Sequence, residues 1–166
     1  DERAQRLTLW RDRVGKKPLY WWPVGGRLLF ASELKALWAG NGNRPEIDGK
    51  ALEAFLGWGF VPEGQCIARG VNKLPPGHHL TVDLAGGTPT ISRYWRLDVR
   101  PDPAVSFDEA VAEVRADLDE AVTLRLRADV PIALFLSGGL DSVTVAWLAR
   151  SALTAKALCV SFRGGP

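Results

Sequence analysis

Methionine is absent from all 166 residues, position 1 included. Together with the turn-like Arg163-Gly-Gly-Pro166 that follows an apolar stretch, this points to a segment of a longer protein. Cysteine is nearly absent as well. Cys66 and Cys159 stand too far apart to make a metal spacing or a disulfide framework, which favours a reducing, cytoplasmic setting. The two histidines, His78-His79, sit at a Pro-Gly turn with no neighbouring cysteine or carboxylate, so they read as turn or surface residues and not as metal ligands. Charge of one sign is missing too. Lys and Arg total 21 against 19 Asp and Glu, and Lys16-Lys17 is too short for a basic patch, so neither nucleic acid nor a membrane surface is expected as a partner. No apolar run reaches transmembrane length, and Asp1-Glu2-Arg3 opens no signal peptide. What is present is ordinary globular composition, 46% hydrophobic and 24% charged, enough for one domain or two small ones.

In chain order, Leu7–Arg13, Leu19–Trp22 and Arg27–Ala31 read as three short strands separated by Gly/Pro turns, which predicts an antiparallel meander. The adjacent Arg11-Asp12 is expected to form a buried salt bridge holding that meander, and Trp10, Trp21 and Trp22 to pack in a core or between domains. Ser32 is the expected N-cap of a short helix that ends before Gly40, and Asp48 opens another helix through about Leu56. Lys73–Asp83 is a Pro-Gly turn leading into a strand. Thr88–Trp95 completes a hairpin with it. The Pro/Asp-rich Asp98–Pro103 reads as a linker. Beyond it, the capping box Ser106-Phe-Asp-Glu109 starts a helix with Val111, Val114, Leu118 and Val122 on one face.

The most informative stretch is Pro131-Ile-Ala-Leu-Phe-Leu-Ser-Gly-Gly-Leu-Asp-Ser142. Ile132–Leu136 is an unbroken apolar run between a proline and a Ser-Gly-Gly turn, which predicts a strand buried on both faces, as in a parallel sheet. A helix follows, with Val143, Ala146, Trp147 and Leu153 near helical spacing, and then an apolar strand over Ala157–Val160. The β-α-β order predicts parallel neighbours. Gly138 and Gly139 let backbone N–H groups approach an anion, the helix start offers unpaired N–H donors, and Ser137 and Ser142 add hydroxyls. Asp141 would repel a bare phosphate. It fits if Mg²⁺ stands between carboxylate and phosphate, whereas a purely structural reading makes Asp141 or Ser142 a helix cap. No lysine follows the glycines, so this is no Walker A loop, and neither serine has the Gly-x-Ser-x-Gly frame of a nucleophile elbow. The strand, Ser-Gly-Gly-Leu-Asp-Ser and helix together resemble the pyrophosphate-binding loop of the ATP pyrophosphatase (PP-loop) enzymes.

Four further stretches stand in order with it: Arg11-Asp-Arg-Val-Gly-Lys-Lys-Pro-Leu-Tyr20, Phe30-Ala-Ser-Glu-Leu-Lys-Ala-Leu37, Lys73-Leu-Pro-Pro-Gly-His78 and Asp129-Val-Pro131. The series, running through nearly the whole chain, resembles the glutamine-hydrolysing asparagine synthetases. That resemblance implies a fold: the α+β end of an N-terminal-nucleophile glutaminase domain over residues 1–98, a linker over 99–105, and the start of an α/β parallel-sheet PP-loop ATP pyrophosphatase domain over 106–166.

It also implies an activity. Glutamine is hydrolysed by an N-terminal cysteine, and ammonia passes inside the protein to a second site. There ATP activates aspartate as an acyl-adenylate, giving asparagine, AMP and pyrophosphate. Carried over residue by residue, Ser137, Gly138, Gly139, Asp141 and Ser142 match the pyrophosphate loop, with Asp141 as the Mg²⁺ partner. Phe135, bulkier than the leucine common there, and Val160 match the nucleotide pocket. The implied ligands are ATP, Mg²⁺, glutamine and aspartate or another carboxylate, with a homodimer possible in the full-length protein.

On the synthetase side, Val143 stands where the family usually has a small polar residue, and the larger departures are on the glutaminase side. Position 1 is Asp1, and Cys66 lies well inside the chain, where it has no α-amine of its own to activate it. No catalytic residue for glutamine hydrolysis is therefore assigned within this segment. The rival readings are a β-lactam synthetase-like cyclase, which adenylates without ammonia, and a fragment with no activity of its own.

Overall fold

The structure is a computed structural model that describes residues 1–150 and 156–161. The chain divides into two units, Asp1–Val99 and Arg100–Pro166. The expected positions Leu153 and Arg163–Pro166 lie outside the described residues.

The first unit holds two three-stranded antiparallel sheets and two helices. Strand β1 (Arg6–Trp10) stops three residues short of Arg13, β2 (Tyr20–Val24) runs two past Trp22 and β3 (Arg27–Ala31) forms where expected, but the three do not form one meander. β2 pairs with β3 on one side, Tyr20 opposite Ala31, and with β4 (Asn72–Lys73) on the other, so it has no edge left for β1. β1 pairs instead with β5 (His78–Asp83), Leu9 facing Leu80, and β5 continues to β6 (Thr90–Arg93) in the expected hairpin. The two sheet orders are therefore β1-β5-β6 and β3-β2-β4. Alternation along β1 and β5 points Leu9 and Leu80 inward, where they bury with Leu74. Trp22, Leu37, Cys66, Ala68 and Val71 form a second cluster. Leu37, Leu74 and Leu80 are fully enclosed, each worth roughly 2–3 kcal/mol of transfer free energy.

Helix α1 (Leu34–Asn41) departs from the expected caps. Its N-cap is Glu33 and not Ser32, and Gly40 lies inside the helix, because Gly42 supplies the left-handed residue at φ 85° whose N–H closes on Trp38 O. Helix α2 (Gly49–Trp58) does start at the expected cap, Asp48, whose carboxylate accepts from Ala51 N. It runs two residues past Leu56 until Gly59 at φ 78° stops it.

In the second unit, α3 (Phe107–Arg125) opens on the expected capping box: Glu109 N donates to Ser106 Oγ at 3.3 Å, and Ser106 N donates to Glu109 Oε2 at 2.9 Å. The Ser106 hydroxyl, which donates to Glu109 Oε2 at 2.7 Å, together with the Ser106 N–H holds the Glu109 carboxyl below its usual range. The apolar run at Ile132–Leu136 is ordered as strand only over β7 (Leu134–Phe135), and Ala157–Val160 only over β8 (Ala157–Leu158). The two pair in parallel, Leu134 opposite Ala157 and Phe135 opposite Leu158. The expectation of burial on both faces fails. Ile132, Leu134 and Leu136 are half-buried, but Phe135 is 78% exposed. A two-stranded pair lacks the flanking strands and helices that cover both faces of a full parallel sheet. Helix α4 (Leu140–Ala149) follows the glycine turn.

Candidate functional site

The polar features of the second unit converge on the turn between β7 and α4. Gly138 takes φ +80°, a left-handed conformation that L side chains rarely adopt, and nothing lies within 4 Å of where its Cβ would stand. Gly139 is the N-cap of α4, with extended backbone and no side-chain cap bond. The N–H groups of the helix's first turn therefore lack the capping side chain that usually satisfies them. Ser137 and Ser142 close over this turn. Their hydroxyl oxygens lie 3.1 Å apart, Ser142 Oγ donates to Gly139 O at 2.9 Å, and Gly139 N donates to Ser137 Oγ at 3.4 Å. Asp141 stands exposed in the first turn of α4. The reading of Asp141 or Ser142 as a helix cap does not hold, since neither occupies the cap position.

The apolar side of the turn is formed by Phe135 and its register partner Leu158, with Val160 two residues further on. All three are open to solvent, Phe135 at 78%, Leu158 at 48% and Val160 at 75%. The structure thus brings Ser137, Gly138 and Gly139 into one turn, with Asp141 and Ser142 in the first turn of α4 and the Ser142 hydroxyl folded back over the turn. Leu158 was not singled out from the sequence. Its place opposite Phe135 depends on the strand register, which the sequence does not display.

This donor set suits a phosphate group with a divalent cation: hydroxyls, a glycine-built turn, an uncapped helix N-terminus, and one carboxylate to face the cation. Among the described residues, no cluster of three or more His, Cys, Asp or Glu side chains could hold a metal by itself. A cation here would have to share its coordination with the anion.

The first unit carries a different constellation at Arg11-Asp12. The expected pair between them does not form. The buried Arg11 guanidinium instead donates to Glu63 Oε1 and Leu74 O, each at 2.6 Å, to Lys17 O at 3.1 Å and to Gly15 O at 3.2 Å. Asp12 turns outward and accepts from Lys17 N and Lys16 N, which hold its carboxyl below the usual range. One residue thus fastens the loops from inside while its neighbour shapes the turn from outside. A four-residue reach from aspartate to a Gly-Lys-Lys turn was a legible signal for the second role. Glu63, remote in sequence, had none.

Cys66 is free and packed in the core, where burial pushes its thiol up, away from the reactive thiolate. His78 Nδ1 lies 2.7 Å from Pro76 O, and His79 stacks on Trp10 with ring centroids 4.5 Å apart. Both histidines belong to β5 and are half-buried, and His79 Nδ1 is buried without a hydrogen-bond partner, so neither is the open turn residue expected. Trp22 is a core residue as expected. Trp10 is not, being 59% exposed in a stack with His79 and Tyr94. No helix among the described residues is long and apolar enough to cross a membrane.

Comparison with known proteins matches both units. Residues 1–95 fit the family model of the glutamine amidotransferase domain, and residues 113–166 fit that of asparagine synthase. The chain is 37% identical over 150 residues to asparagine synthetase [glutamine-hydrolyzing] 3 of Bacillus subtilis, covering 90% of this chain and 24% of that protein. It is 36% identical over 154 residues to a putative asparagine synthetase [glutamine-hydrolyzing] 2 of Methanocaldococcus jannaschii, covering 90% of this chain and 29% of that protein. It is also 40% identical over 150 residues to amidase chyE of Penicillium rubens, covering 88% and 21% respectively. The chain spans about a quarter of the length of these relatives.

Proposed function

Because the chain belongs to the glutamine-hydrolysing asparagine synthetase family, pairing a glutamine amidotransferase domain with the start of an asparagine synthase domain, we propose that it is part of an ATP-dependent amidotransferase. In this reading residues 1–98 close a glutaminase domain of the N-terminal-nucleophile type. Residues 99–105 link it to the first part of a PP-loop ATP pyrophosphatase domain at 106–166. ATP is the substrate at the Ser137–Ser142 loop. Its phosphates meet the Ser137 and Ser142 hydroxyls and the N–H groups that follow Gly138 and Gly139. Mg²⁺, held against Asp141, would neutralise phosphate charge there. Phe135 and Val160 flank the nucleotide. A carboxylate, aspartate in an asparagine synthetase, is activated as the acyl-adenylate with release of pyrophosphate, and ammonia from glutamine then displaces AMP to form the amide.

The observation that carries this reading is the uncapped N-terminus of α4 behind a left-handed Gly138, with two serine hydroxyls 3.1 Å apart over it and an exposed carboxylate one step into the helix. Gly139 at the N-cap forgoes only a few tenths of a kcal/mol relative to Ser, Thr, Asp or Asn, and it leaves the first-turn N–H groups open to an anion.

The test is Asp141→Asn in the full-length protein. Pyrophosphate release from ATP should be lost while glutamine hydrolysis persists. Pyrophosphate release equal to the parent's would refute the assignment.

A further inference from the structure

We draw no further inference here: the strongest candidate, the apolar groove of about 590 Å³ along α3 and α4 lined by Phe107, Val111, Val114, Leu118 and Trp147, is an unpartnered face, and nothing in the structure shows what covers it.

Discussion

Gly138 and Gly139 stand side by side, yet the structure predicts different outcomes for their replacement by alanine. Gly138 is at φ +80° in open space, so a methyl group there meets no atom within 4 Å, and the whole cost is backbone. Holding an L-residue in the left-handed region costs roughly 1–2 kcal/mol. If the free Gly138→Ala loop relaxes to negative φ and must be drawn back to the binding shape, that strain weakens anion binding by about 5- to 30-fold, since ~1.4 kcal/mol is a factor of ten. Gly139 has φ −74°, which alanine adopts freely, and its added Cβ would stand 3.5 Å from Ser137 Oγ, an ordinary contact. Alanine at a helix N-cap costs roughly 0.5–1 kcal/mol relative to glycine, less than the strain at Gly138. Calorimetric titration of the full-length protein with magnesium pyrophosphate should therefore rank the affinities as parent, then Gly139→Ala within a few-fold, then Gly138→Ala clearly weaker. If Gly138→Ala binds within twofold of the parent while Gly139→Ala loses tenfold, the left-handed turn is not what shapes the site.

Three further outcomes follow from the same structure. Arg11→Ala should destabilise the amidotransferase unit by about 3–5 kcal/mol, because it strips a buried carbonyl and an ion-pair partner at once. Glu63→Gln, at a side chain 49% exposed, should cost under about 1 kcal/mol. Urea unfolding measures both, and equal losses for the two variants would contradict the role given to Arg11. Cys159, exposed, should be alkylated in the native protein long before Cys66, which is buried with a raised thiol. Site-resolved mass spectrometry after a short alkylation checks this, and early labelling of Cys66 would overturn it. Asp12 and Glu109 both have carboxyl groups held below their ordinary values of 3.8 and 4.5. Groups lowered in the folded state contribute stability that is fully present above those ordinary values and is lost as pH falls through the lowered ones. Asp12→Asn should accordingly flatten the acid limb of the stability profile below about pH 4 and leave its pH dependence near neutrality unchanged.

Features with local causes can be read directly from the chain. Ser106 and Glu109 carry their own capping box, Asp48 its own cap, and the order of apolar run, Ser-Gly-Gly and helix former specifies strand, turn and helix from Leu134 to Ala149. The loop Ser137–Ser142 was legible for the same reason, since glycine freedom and helix-end donors are properties of a few adjacent residues. The partners were decided by the tertiary structure. Periodicity marks β1, β2 and β3 as strands but says nothing of which edges meet, and β1 is drawn to β5 because β2 is filled on both sides by β3 and β4. Arg11 shows the same division. Its neighbour Asp12 was the obvious partner in sequence, yet the guanidinium turns inward to Glu63 and Leu74 O while Asp12 satisfies the turn. A charge buried in a fold takes the acceptors that packing places beside it, and those come from segments that adjacency in the chain does not reveal.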